Sequence, residues 1–129
     1  MAMINQPTLQ KISDFEDKSL LIVDDDNPFR QRLARAMEKK GFTVTQAESV
    51  KIGIETVKSQ SPAFAVVDLR LNDGNGLEVV KEIQKGNIKS RIIMLTGYGN
   101  IPTAVAAIKE GAIDYIAKPA DADLSLIHI

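Results

Sequence analysis

The chain contains no cysteine, and this absence excludes disulfide bonds, thiol chemistry and metal sites built from thiolates. The formal net charge is only −1, so no global basic field points to nucleic acid or to an anionic membrane surface. No apolar run reaches the length of a membrane span, and the N-terminus lacks the basic and then apolar pattern of a secretory signal. These absences predict a cytoplasmic protein that does not enter a membrane.

The composition is that of one globular domain. The 129 residues are 44% hydrophobic and 26% charged, both close to the globular average, and this length buries a real core. Residues 1–17 are mixed and aperiodic, and we expect them to form a flexible leader. The domain itself is expected over residues 18–123.

Four short apolar runs are each followed by polar residues. The first run ends in Asp24-Asp25-Asp26, the second in Asp68, the third in Thr96 and the fourth in Lys118. Such runs are typical of strands buried on both faces of a parallel sheet, where the strand C-termini meet at the edge that binds ligands. The sequence therefore predicts one site with carboxylates, a hydroxyl and an ammonium group.

Helical patterns separate the strands. Asn27-Pro28 is interpreted as an N-cap followed by proline at the first helical position, and Ser49 as the cap of a second helix. A third helix follows the turn-rich loop Asn72-Asp73-Gly74-Asn75-Gly76, and Pro102 begins a fourth. This alternation predicts a doubly wound α/β domain with a five-stranded parallel sheet. Too few residues follow Asp121 for a normal fifth helix, which is expected to be missing or truncated.

The acidic residues suit a divalent cation. Asp24, Asp25 and Asp68 would place like charges within a few ångströms of each other, which is costly unless a cation neutralises them. Hard oxygen ligands of this kind select Mg²⁺ and leave open positions for phosphate oxygens. Asp68 is the candidate nucleophile for an aspartyl-phosphate. Lys118 would offset charge on the phosphoryl oxygens, and Thr96 would donate its hydroxyl to them.

Each of these residues also has an ordinary structural interpretation. Asp26 is expected to point outward near the start of the first helix, where a negative charge is favourable. Asp68 could cap a turn, Thr96 could cap a helix, and Lys118 could be a surface charge. Their combination at four strand ends, in this order, favours a functional site over chance.

The strand-end motifs resemble those of the receiver domain of bacterial two-component response regulators, over about residues 19–120. These motifs are Leu21-Ile22-Val23-Asp24-Asp25-Asp26, Val66-Val67-Asp68-Leu69, Leu95-Thr96-Gly97 and Ala117-Lys118-Pro119. Within that family, the chain is similar to the redox-responding regulators of the RegA/PrrA/ActR type over residues 68–77, 95–99 and 118–122. The resemblance implies the flavodoxin-like fold of receivers.

The resemblance also implies a phosphorylation site. A sensor histidine kinase would supply the phosphoryl group to Asp68. Mg²⁺ would be held by Asp24, Asp25, Asp68 and the backbone carbonyl of Arg70, and Lys118 matches the lysine of the site. Such a domain is a phosphoacceptor in signalling and not an enzyme with separate substrates, because it catalyses only its own phosphoryl transfer and hydrolysis.

The phosphate would act through a conformational switch. Thr96 would move toward the phosphate and free space for the ring of Tyr115, so that phosphorylation selects between two packings of the core. The surface that changes would lie on the fourth helix and fifth strand, near Ile101 and Ala104, and a homodimer is expected to form through it. The Lys118–Pro119 peptide bond is expected to be cis.

Rival classes are less consistent with the sequence. A haloacid-dehalogenase-type phosphatase needs a second catalytic aspartate two residues after the first, where this chain has Arg70. In a receiver, Arg70 would have a different role: Arg70 and Tyr98 flank the phosphoacceptor and the threonine, and we expect them to control the access of water to the phosphate. A flavodoxin-like or Rossmann cofactor binder needs a phosphate loop that is absent after the first strand. A structural interaction domain would not need the acidic cluster.

The C-terminus departs from the family. Regulators of the RegA type continue into a fifth helix, a linker and a Fis-like helix-turn-helix that binds DNA. Residues 124–129 instead resemble a translated sequencing adapter, and we expect them to be a non-native tail. DNA binding is therefore expected only through a C-terminal domain that is absent from this chain, and His128 is given no role.

Overall fold

The computed structural model describes residues 16–86, 89–96, 109 and 114–117, with the backbone alone for residues 96 and 114–117. The helices are α1 (Asn27–Lys39), α2 (Val50–Ser59) and α3 (Leu77–Gly86). The strands are β1 (Ser19–Val23), β2 (Thr43–Ala47), β3 (Phe64–Asp68), β4 (Arg70–Leu71), β5 (Gly74–Asn75), β6 (Arg91–Thr96) and β7 (Asp114–Ala117).

Several predictions concern residues outside this description. They are the tail, the fourth and fifth helices, the leader apart from its last two residues, the roles of Tyr98, Ile101 and Ala104, and the isomer of the Lys118–Pro119 bond. None of the helices in the described part of the chain is long and apolar enough to cross a membrane.

The main sheet runs in the order β2-β1-β3-β6-β7, and each pair of neighbouring strands is parallel. The prediction of an α/β domain with a parallel sheet is confirmed. The chain moves outward from β1 to β2 on one side and from β3 through β6 to β7 on the other. The strand order therefore reverses between β1 and β3, and ligands of such sheets bind beyond the strand C-termini at this point.

Helices cover both faces of the sheet because successive strand side chains point in opposite directions. Leu20 and Ile22 belong to a buried cluster that also contains the inner side chains of α1. Leu21 and Val23 belong to a second cluster with the inner side chains of α2 and α3. With both faces covered, all five residues of β3 are buried, which explains the continuous apolar runs in the sequence.

The start of α1 differs by one residue from the prediction. Its N-cap is Asp26, whose carboxylate accepts from the N–H of Phe29 at 3.1 Å. Asn27 does not act as the cap because its side-chain oxygen accepts from the guanidinium of Arg30 at 2.7 Å. Asp26 is exposed, as predicted, and Ser49 caps α2, also as predicted.

The segment between β3 and α3 forms a small antiparallel hairpin of β4 and β5. At its end, the Gly76 N–H donates to the carbonyl of Leu69 at 2.8 Å. A Cβ at Gly76 would collide with the backbone carbonyl of Asp68. The glycine therefore allows the hairpin to return closely over the end of β3, and it places the loop beside the strand edge.

A candidate metal and phosphate site at the strand C-termini

Three carboxylates meet where β1 and β3 end. Asp24 and Asp25 directly follow β1, and Asp68 is the last residue of the neighbouring β3. One carboxylate oxygen from each of the three lies within 4.8 Å of the others. Two oxygens bound to one ion at about 2.0–2.6 Å are separated by at most about 4–5 Å. The three oxygens are therefore close enough to be bridged by one divalent cation, and the donor set fits a hard cation.

Burial makes this clustering of charge unusual. Asp24 is 0% exposed and Asp68 is 6% exposed, whereas Asp25 is half-buried. Carboxylates that are both close together and withdrawn from water repel each other strongly unless hydrogen bonds or a cation compensate them. The Asp24 carboxylate accepts from the N–H of Asp26 at 2.9 Å, and the Asp25 carboxylate accepts from the N–H of Asn72 at 2.9 Å. These bonds orient the two side chains, and a cation would neutralise the remaining charge.

A buried arginine supports the turn that carries the acidic pair. Arg30 is 8% exposed, and its Nη1 donates to the backbone carbonyl of Asp24 at 2.8 Å and to Asn27. Its Nε donates to the side-chain oxygen of Gln46 on β2 at 2.9 Å. Sequence reasoning missed this residue. Its position in the sequence could have indicated its burial, because residue 30 lies one helical turn before Ala34, on the face of α1 that packs against the sheet.

The loop after β3 is fastened at its tip. The Asp73 carboxylate accepts from the backbone N–H groups of Val50 at 2.8 Å and Lys51 at 3.1 Å, both in the first turn of α2. The bond from Val50, and to a smaller extent the bond from Lys51, holds the pKa of the Asp73 carboxyl below its ordinary value of 3.8.

Arg70, whose backbone carbonyl was predicted to be a metal ligand, is the first residue of β4 and has an exposed side chain.

The remaining predicted site residues lie on β6, β7 and beyond. Thr96 ends β6 directly after Leu95, which pairs with Asp68. Its backbone is therefore near the same sheet edge. Tyr115 lies within β7. The side chains of Thr96 and Tyr115, and all of Lys118, are outside the described residues, so their roles stay predictions.

The model of the response regulator receiver domain family matches residues 20–128, which is most of the chain. The chain belongs to this family. It is 60% identical to the photosynthetic apparatus regulatory protein RegA of Rhodobacter capsulatus over 83% of this chain and 58% of that protein. It is 62% identical to the acid tolerance regulatory protein ActR of Rhizobium meliloti over 83% of this chain and 55% of that protein. The predicted resemblance to receivers of this type is confirmed.

Solved structures agree with the receiver fold. A response regulator from Burkholderia pseudomallei, solved with a phosphorylated aspartic acid, a calcium ion and citrate, aligns with a TM-score of 0.78 and 37% identity. The alignment covers 85% of this receiver and 65% of that chain. The receiver domain of NtrX from Brucella abortus aligns with a TM-score of 0.74 and 32% identity, over 81% of this receiver and 89% of that chain.

The chain spans a little over half the length of the two curated relatives named above, at 58% and 55%. Shared family membership therefore concerns the receiver domain of these regulators. It identifies the chain as a response regulator receiver domain.

Proposed function

We propose that this receiver accepts a phosphoryl group on Asp68 from a sensor histidine kinase, with Mg²⁺ held by Asp24, Asp25, Asp68 and the backbone carbonyl of Arg70. The observation that carries the proposal is the convergence of three carboxylates within 4.8 Å at the edge of a parallel sheet. The phosphorylated aspartic acid and calcium ion in the Burkholderia pseudomallei structure support the same chemistry.

In this proposal Asp68, the last residue of β3, is the nucleophile, and Asp24 and Asp25 serve as metal ligands. An oxygen of its carboxylate would attack the phosphorus, while the bond from phosphorus to the donor imidazole nitrogen breaks and the imidazole takes the electron pair. Mg²⁺, when bound, neutralises charge on the phosphoryl oxygens. The hydrogen bonds to Asp24 and Asp25 keep the ligand carboxylates oriented before the phosphoryl donor arrives. Lys118 and Thr96 would contact the same oxygens.

The phosphorylated state would be limited by self-catalysed hydrolysis and read by a separate surface. Arg70, with its exposed side chain, and Tyr98 would control the access of water to the phosphate. Movement of Thr96 and Tyr115 would change the face of the fourth helix and β7, which we propose as a surface for homodimers. In a longer protein this change would control a C-terminal DNA-binding domain, and we place the receiver in the cytoplasm.

Phosphorylation by a small donor tests the proposal directly. The chain is incubated with acetyl phosphate and Mg²⁺, and the phosphorylated fraction is measured by intact-mass spectrometry. We expect labelling of the wild type, no labelling of Asp68→Asn, and loss of labelling when Mg²⁺ is chelated. Asp26→Asn is the matched control, because Asp26 is exposed and outside the cluster, and it should be labelled normally. Equal labelling of Asp68→Asn and wild type would refute the assignment.

A phosphatase of the haloacid-dehalogenase type is the main rival. It would require an acidic group at position 70 for proton transfer, whereas Arg70 is a cation with an exposed side chain. Steady turnover of p-nitrophenyl phosphate, dependent on Asp68, would favour that rival over the receiver mechanism.

A further inference from the structure

Two adjacent residues connect the hairpin between β3 and α3 to different parts of the molecule. The N–H of Asn72 donates to Oδ2 of Asp25, in the acidic cluster, at 2.9 Å. The carboxylate of Asp73 accepts from the N–H groups of Val50 and Lys51, at the start of α2, at 2.8 and 3.1 Å. The hairpin tip is therefore held between the acidic cluster on one side and a helix on the other.

We propose that Asp73 is a positioning residue for the metal site: by fastening the hairpin tip to α2, it holds the Asn72 N–H against Asp25 and fixes the orientation of the Asp25 carboxylate. The inference rests on the proposed function, because the cation concerned is the one that the acidic cluster would bind. Asp73 contacts neither the cation nor the phosphate in this proposal, and it acts through Asn72.

The buried side chain of Leu71 anchors β4 in the core, but few other contacts hold the exposed tip that follows it. β4 and β5 contain two residues each, and strands this short are not stable by themselves. Residues 72–75 are all exposed, so apolar packing does not hold them. The bonds of Asn75 with Glu78 and Leu77, and the bond from Gly76 to Leu69, fasten the end of the segment nearest α3. The tip depends on the bonds of Asp73 to α2.

The position of the tip matters because Asp25 is the least buried of the three candidate carboxylate ligands. Its side chain is half-buried, whereas Asp24 and Asp68 are buried. A hydrogen bond to one carboxylate oxygen restricts rotation of the group and leaves the other oxygen to face a cation. Groups that orient a metal ligand change metal affinity by about 10–100-fold when they are removed. Asp73 lies one step further out, so we expect a smaller effect.

The same helix supplies a control that separates positioning from simple capping. Ser49 caps α2 through the N–H of Ile52 at 3.1 Å, and that bond does not involve the hairpin. Asp73→Ala and Ser49→Ala each remove a side chain that accepts hydrogen bonds from N–H groups in the first turn of α2. Both substitutions should therefore destabilise the helix. A capping role alone would make their effects on metal affinity alike, whereas the positioning role predicts that they differ.

Calorimetric titration with Mg²⁺ measures the difference. We expect Asp73→Ala to raise the Mg²⁺ dissociation constant by about threefold to tenfold, Asp73→Asn to raise it less because one side-chain oxygen remains, and Ser49→Ala to leave it unchanged. An unchanged constant in Asp73→Ala, or an equal increase in Ser49→Ala, would overturn the inference. Absence of saturable Mg²⁺ binding by the wild type would instead refute the proposed function, and the inference with it.

Amide hydrogen exchange of the wild type gives a second test that needs no variant to fold. Coupling between two sites is reciprocal, so Mg²⁺ should slow exchange of the Val50 and Lys51 amides, which bond to Asp73. The Ile52 amide, which bonds to Ser49, is the internal control and should be slowed less. Equal effects of Mg²⁺ on all three amides, or no effect on any, would contradict the positioning role.

Discussion

Replacing Gly76 with alanine should destabilise the receiver, because the added methyl group has no room. A Cβ at this position would lie 2.9 Å from Cγ1 of Val67 and 3.0 Å from the carbonyl carbon of Asp68, and it would collide with the Asp68 carbonyl oxygen. The obstacle is backbone at the end of a buried strand, so it cannot be relieved by turning a flexible side chain. Either β3 or the hairpin must move.

The size of the effect follows from two contributions. Overpacking of a buried position costs about 1–3 kcal/mol. Displacement of the hairpin also weakens the 2.8 Å bond from the Gly76 N–H to the Leu69 carbonyl, and a net hydrogen bond is worth about 0.5–1.5 kcal/mol. We therefore expect the free energy of unfolding to fall by about 2–4 kcal/mol, a large part of the 5–15 kcal/mol typical of a domain.

Urea denaturation followed by circular dichroism measures this change. With a slope of about 1–3 kcal/mol per M, the unfolding midpoint of Gly76→Ala should fall by about 0.7–4 M of urea. Gly86→Ala is the matched control, because its new Cβ would have Ser61 Oγ at 3.6 Å and Ser61 Cβ at 3.8 Å as its nearest neighbours. These are ordinary contacts, and the helix preference of alanine should raise stability by up to about 1 kcal/mol. A midpoint of Gly76→Ala at or above that of the wild type would refute the steric reasoning.

Two further predictions concern the groups that hold the loops of the site. Arg30→Met should lower the free energy of unfolding by about 1.5–3 kcal/mol. The buried carbonyl of Asp24 loses the hydrogen bond from Arg30, whereas the exposed side chains of Asn27 and Gln46 can bond to water instead. Urea denaturation measures the change, and Arg30→Lys should recover part of the lost stability. Asp73→Asn should reduce stability at neutral pH. Since the pKa of Asp73 is lowered by folding, its contribution is present above the ordinary value of 3.8 and is lost as the pH falls below it. Denaturation curves from pH 7 to pH 3 should therefore converge, and a constant difference would count against the charged bonds to α2.

The acidic cluster was predictable because it depends on two simple properties of the chain. Strands buried on both faces are recognisable as short apolar runs, and parallel strands bring their C-termini to one edge. Val23 pairs with Val67 in the β1–β3 register, so the residues that follow them are neighbours at that edge. No knowledge of side-chain conformation was needed to place Asp24, Asp25 and Asp68 together.

Interactions between distant segments were not predictable in the same way. Nothing near Asp73 indicates that its side chain reaches the N-terminus of α2, 23 residues earlier in the chain. The cap of α1 shows the same limit, since Asp26 and Asn27 are both good N-cap residues. In the structure the guanidinium of Arg30 donates to the Asn27 side chain, and Asp26 caps the helix.

The strand order also has a consequence for how the domain folds. The three carboxylates become neighbours only when β1 pairs with β3, and α1, β2 and α2 lie between these strands in the chain. Closing so long a loop is an entropically costly and slow step, and it must also bring negative charges together. We therefore expect repulsion among the three carboxylates to slow the pairing of β1 with β3 during folding. Salt or divalent cations that screen these charges should increase the folding rate.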